Sequence, residues 1–122
     1  MSNHENLEAW RTAIELVDNV YELCKILPAD ERFGLISQMQ RCAVSVPANL
    51  AEGCSRDSTK DFLKHVAIAR GSLAELETFL VIVKRRGFVD PTQLESIKDQ
   101  SLLCGKLLGG LRRSLRNKLS QQ

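Results

Sequence analysis

Few side chains in this 122-residue sequence could do chemistry, and their spacing narrows what that chemistry could be. The histidines are His4 and His65, and His65 follows Asp61 by one helical turn. That spacing suits acid–base work or, more simply, a surface ion pair of small value. Di-iron bundle proteins need Glu-x-x-His on two helices with further inward glutamates, and no Glu-x-x-His occurs here. Cys24, Cys42, Cys54 and Cys104 lack the close ligand pairs of a zinc site. They also lack the setting of a small secreted disulfide scaffold, so they read as buried, reduced thiols. No G-x-S-x-G, P-loop or dinucleotide glycine pattern is present. Catalytic residues, metal ligands, a cofactor and a small-molecule substrate are therefore not expected, and an enzyme is the least supported reading.

The informative polar residues are Arg41, Ser45, Asn49, Glu52 and Arg56, spaced four, four, three and four, so that they stack along one side of a helix. Asn49 also falls on the apolar seam of Leu35, Met39, Cys42 and Val46. A buried Asn must be hydrogen-bonded, and one such residue can fix helix register. The following helix offers Arg70, Ser72 and Glu75 as partners. Arg41, Ser45, Asn49, Glu52, Arg70, Ser72 and Glu75 are thus read as a structural polar network. A ligand or partner groove and a solvated face are the alternatives.

These residues must be positioned by helices. Leu7, Trp10, Ile14, Val17, Tyr21 and Cys24 alternate in steps of three and four, which marks one apolar stripe. Pro28 ends that helix, and Asp30 is placed to cap the next, on Leu35, Ile36, Met39, Cys42, Ala43, Val46 and Leu50, with Pro47 inside it. Ser58-Thr59-Lys60-Asp61 resembles a capping box before a third helix on Phe62, Val66, Ala69, Leu73, Leu76, Leu80 and Val83, closed by Gly87. Asp90-Pro91-Thr92 restarts the chain for a fourth, on Leu94, Ile97, Ser101, Cys104, Leu108, Leu111 and Leu115. Gly105, Gly109 and Gly110 in that helix are either close-packing sites or weak points. Short connectors force neighbours antiparallel. The expectation is an all-α, up-down-up-down antiparallel four-helix bundle, a single domain over 1–122 with helices at about 6–27, 31–53, 59–86 and 92–118.

The third helix is apolar almost all round, since Leu63, Ala67, Ile68, Ala74, Phe79, Val81 and Ile82 lie off its main seam. Such a helix is covered on both sides, by another subunit or by an unusually wide core face. Charge is uneven as well. The formal net charge is +2, but residues 1–31 carry two cations against seven acids, −5, leaving +7 for the rest. Up-down topology gathers Arg56, Lys60, Lys64, Arg112, Arg113, Arg116 and Lys118 at one pole, partly offset by Glu5, Glu8, Asp57 and Asp61. That pole reads as a nucleic-acid contact or as a solvated end with intersubunit ion pairs. No apolar run is long enough for a membrane span, and the first six residues have no leader character, so a cytoplasmic protein is expected.

Several of these residues also carry a family resemblance: Trp10-Arg11-x-Ala13 with Tyr21, Glu31-Arg32-Phe33-Gly34-Leu35, Gln38-x-x-Arg41, Ser45-Val46-Pro47-Ala48-Asn49-Leu50-Ala51-Glu52-Gly53, Arg56, Phe62 and Ala69-Arg70-Gly71-Ser72-x-x-Glu75-Leu76. The sequence resembles the four-helix-bundle proteins encoded in intervening sequences of bacterial large-subunit ribosomal RNA genes. The same superfamily includes the accessory variability determinant of diversity-generating retroelements. The resemblance spans residues 7–89, and the fourth helix matches in character only. It implies a bacterial, cytoplasmic homopentamer without known enzymatic activity, and in retroelement members binding to a reverse transcriptase and nucleic acid. The expected function is a non-enzymatic homo-oligomer that binds structured RNA or a ribonucleoprotein. A protein-interaction adaptor or assembly scaffold without nucleic-acid binding is the alternative.

Overall fold

The structure is a computed structural model, and it describes residues 3–121. Met1 and Ser2, part of the basis for the leader reading, lie outside the described residues. Among those described there are four long helices and no strand: α1 Glu8–Lys25, α2 Ser37–Cys54, α3 Thr59–Arg86 and α4 Thr92–Ser120. Each helix packs against two others, α1 on α2 and α4, and α3 on α2 and α4, which makes a four-helix bundle. Across the α2/α3, α3/α4 and α1/α4 interfaces the partners run in opposite order. Ser45 meets Ser72 while Gly53 lies against His65 and Phe62; Glu77 meets Ser101 while Leu73 lies against Gly105. Asn19 pairs with Gln100, while Ile26 shares a recess with Gln93.

The helix ends follow local chemistry. Ser58 Oγ accepts from the Asp61 amide at 3.0 Å and starts α3. Gly87, at φ +69°, ends it in the left-handed conformation, with the Phe88 amide reaching back to the Val83 carbonyl. At α4 a reciprocal box forms: Asp90 Oδ1 accepts from the Thr92 amide, and Gln93 Oε1 accepts from the Asp90 amide. The entry to α2 departs from the expected helix at 31–53. A 3-10 turn at Ala29–Glu31 leads into a π-helical turn at Arg32–Ile36, and α2 proper starts at Ser37. Glu31, not Asp30, supplies the cap, its carboxylate accepting from the Leu35 amide at 3.4 Å. His4, at the start of the chain, is in a short turn with its ring edge against Trp10.

The α3 and α4 seams are buried as their spacing predicts, Ser101 included, except that Phe62 and Leu111 are only half-buried. On α1 the seam is different. The buried stripe is Ala9, Ala13, Leu16, Val20 and Leu23, continuing to Leu27 just beyond the helix, with Thr12 beside it. Of the expected stripe Cys24 is buried and Leu7, Trp10 and Val17 are half-buried, whereas Ile14 is 36% and Tyr21 45% exposed. Both stripes alternate in steps of three and four. The stripe chosen from sequence has the larger side chains, whereas the buried stripe includes two alanines, Ala9 and Ala13. Ile14 and Tyr21 are left pointing outward. On α3, Ala67, Ile68, Ala74, Val81 and Ile82 are exposed in the single chain, while Leu63 and Phe79 are half-buried.

Candidate nucleic-acid interface

Two polar regions flank α3. Toward α2, Ser72 Oγ donates to Ser45 Oγ at 2.8 Å, and Asn49 Nδ2 donates to the Ser45 carbonyl at 2.9 Å and to Ser45 Oγ at 3.0 Å. Asn49 is half-buried, one turn along α2 from Ser45, so this small chain ties the register of α2 to that of α3. Farther along, Arg56 Nη2 and Glu52 Oε1 pair at 2.7 Å. The Arg56 hydrogen bond, then the His65 ring, holds the Glu52 carboxyl below the usual carboxylate range. His65 does not pair with the Asp61 side chain. Its Nδ1 lies 2.9 Å from the Asp61 backbone carbonyl, which can only accept, so Nδ1 carries the hydrogen and Nε2 faces Glu52 Oε1 at 3.5 Å.

Gly53 allows this closeness. A Cβ added there would lie 2.7 Å from His65 Cβ and 3.0 Å from Phe62 Cδ1. Of the residues grouped from sequence as one network, Ser45, Asn49 and Ser72 are joined by hydrogen bonds. Glu52 turns to Arg56 and His65 instead. Arg41 and Glu75 line a polar recess of about 350 Å³ beside Ser45 and Ser72 without pairing to each other, and Arg70 is not there.

Arg70 lies on the opposite side of α3. Residues two apart on a helix point about 200° away from each other, so Arg70 cannot share a face with Ser72. It belongs to the stripe Lys60, Leu63, Ala67, Arg70, spaced three, four and three, with Lys64 beside it. With Arg112 and Arg116, one turn apart on α4, these residues line a groove of about 590 Å³ between α3 and α4. Leu63 and Ala67 give it an apolar floor, and Asp61 is the one acid in its lining. Among the described residues none of the five cations makes an ion pair within the chain. Partial desolvation, then the neighbouring charges of Arg116 and Arg70, pushes the Arg112 guanidinium below its ordinary range.

Of the seven cations expected at one pole, the groove gathers four. Lys60, Lys64, Arg112 and Arg116 come together, Arg56 is held by Glu52, and Lys118 is exposed in the last turn of α4. Arg113 folds back along its own helix, its guanidinium near Gly109 and Gly110. The signal for Arg70 was present in the sequence as helical phase.

Burial pushes the Cys24, Cys42 and Cys104 thiols up to about 11, far from a reactive thiolate. No cluster of three or more His, Cys, Asp or Glu able to hold a metal is found among the described residues. No helix there is long and apolar enough to cross a membrane.

The family of 23S rRNA-intervening sequence proteins matches residues 5–110. The chain belongs to that family. Among solved structures, a protein of unknown function from the S23 ribosomal protein family of Bacteroides thetaiotaomicron is similar, with 27% identity and a TM-score of 0.79. The similarity covers 85% of this chain and 97% of the other. No curated protein gives a significant match. The 23S rRNA-intervening sequence proteins are not a known family of enzymes, and the bundle architecture agrees with that of the S23 relative.

Proposed function

We propose that this intervening sequence protein is a non-catalytic, cytoplasmic homo-oligomer, a pentamer, that binds structured RNA by its phosphates in the α3/α4 groove. The observation that carries this reading is the set of five cations, Lys60, Lys64, Arg70, Arg112 and Arg116, gathered in one groove with no counter-ion pair among the described residues. Like charges held together repel one another, and a polyanion that releases its own counterions on binding relieves that repulsion. The two arginines of α4 stand across from the α3 cations, so a phosphate lying along the groove is met from both walls. Nothing in the groove is shaped to read bases, so the contact is one of backbone charge and not of sequence. In a ring the groove repeats, and several modest phosphate sites on one RNA act together.

The test is retention of a structured RNA, such as a ribosomal RNA hairpin, on the purified protein. Binding is expected at about 50 mM salt and should fall by orders of magnitude toward about 200 mM. Absence of retention at the lower salt overturns the RNA reading and leaves the protein-interaction adaptor. The exposed apolar residues of α3 and α4 favour that second reading.

A further inference from the structure

The groove between α3 and α4 changes character along its length. Its end near the start of α3 is cationic; its other end, lined by Leu80, Val81, Lys84, Lys98 and Leu102 with Glu77 and Ser101, is an apolar slot of about 170 Å³. Val81 is 54% and Leu102 60% exposed, a large amount of unprotected aliphatic surface on adjacent helices. A second patch lies between α1 and α2, where the exposed Tyr21 and Val44 border a recess of about 430 Å³ whose other lining residues, Ser37, Gln40, Arg41 and Ser45, are polar. Since α1 packs on α2 and α4, and α3 on α2 and α4, the α1/α2 and α3/α4 sides are opposite faces of the bundle.

We propose that copies of this chain dock head to tail, with the Tyr21–Val44 face of one copy seated in the Val81–Leu102 slot of the next. The inference rests on the homo-oligomer reading above and names its surfaces. Two unlike patches on opposite faces fit a heterologous contact, because pairing one patch with itself would leave the other in water. Charge agrees with that order. Asp18 lies one turn before Tyr21 on the outward stripe of α1, and Lys84 and Lys98 rim the slot that would receive it. Arg41, beside the Tyr21 patch, would approach Glu77 in the slot wall, whose Oε2 already accepts from Ser101 at 3.0 Å. Tyr21 brings an aromatic body with a polar tip, a residue type enriched at interface cores. Docking at the apolar end leaves the cationic end of the same groove open.

A complementary mixing experiment tests this. Tyr21→Glu/Val44→Glu spoils one face, Val81→Glu/Leu102→Glu spoils the other, and all four positions are exposed, so helical circular dichroism should be retained. By light scattering the parent should exceed monomer mass, and each variant alone should run as a monomer. An equimolar mixture at high micromolar concentration should give a dimer and nothing larger, because only one good face pair remains. A milder pair, Tyr21→Ser and Leu102→Ser, repeats the test if the glutamates unfold the chain. A monomeric parent overturns the homo-oligomer reading and this docking with it. Variants that keep the parent mass, or a mixture that stays monomeric, overturn the docking alone.

Discussion

The two sides of α3 are built from similar residue types and do opposite things with them. On the α2 side Ser72, Ser45 and Asn49 satisfy one another, Arg56 pairs with Glu52, and His65 spans Glu52 and a backbone carbonyl above a glycine that admits no Cβ. On the α4 side Lys60, Lys64, Arg70, Arg112 and Arg116 face a groove, and none has an ion-pair partner among the described residues. A polar group that finds its partner inside the chain fixes a helix pair; one held without a partner at a concave surface is available to something else. On the proposed reading the first side serves stability and the second serves RNA binding, and substitutions should separate the two.

The largest effect on the α2 side is expected at Gly53. Gly53→Ala should cost about 1–3 kcal/mol, since the new methyl meets His65 Cβ and Phe62 on a packed helix and not the free end of a long side chain. Urea unfolding of the variant measures it, and unchanged stability would break the close-approach account. Asn49→Leu comes next at about 1 kcal/mol, because Ser45 loses two donated bonds while Ser72 keeps its own. Light scattering on the same variant tells whether oligomer mass also depends on that residue. On the α4 side the sign reverses. A Cβ at Gly105 would meet only Leu73 Cδ2 at 3.6 Å, an ordinary contact, so Gly105→Ala should raise stability by up to about 1 kcal/mol through helix propensity. Those glycines are weak points, not close-packing sites.

Most of the bundle was legible because periodicity and punctuation agree. The α3 and α4 seams, the Ser58 cap and the Gly87 stop follow from spacing and turn chemistry alone. What could not be read is equally specific. α1 has two stripes of identical period, and choosing between them requires knowing that Ala9 and Ala13 are buried while Tyr21 stays outside. The π turn at Arg32–Ile36 arises where Glu31 caps Leu35, a local competition invisible to seam counting. At the α3/α4 groove, sequence had already grouped Lys60, Lys64, Arg112 and Arg116, whereas Arg70 was set with the α2-side residues because proximity to Ser72 in sequence outweighed its phase on the helix.

The smallest expected effect sharpens the comparison through pH. The Glu52 carboxyl is held below its ordinary value of 4.5, first by the Arg56 hydrogen bond and then by His65. A depressed carboxylate contributes stability above its unfolded value and loses that contribution as pH falls through the lower folded value. Stability should therefore dip slightly more in the parent than in Glu52→Gln as pH is lowered below about 4.5, with salt shrinking the difference because the pair is exposed. Parallel curves for the two proteins would show that the pair contributes nothing.

The central claim, that the unpaired cations of the α3/α4 groove are the RNA contact, is tested most directly by the salt dependence of RNA affinity in matched variants. Arg70→Gln/Arg112→Gln/Arg116→Gln removes three groove cations, and Arg56→Gln removes one held by Glu52 on the other side. The account predicts that the slope of log affinity against log salt flattens by about 2–3 in the triple variant, with oligomer mass unchanged, and stays at the parent value in Arg56→Gln. A triple variant with the parent slope, or an Arg56→Gln protein that loses as much, would contradict it.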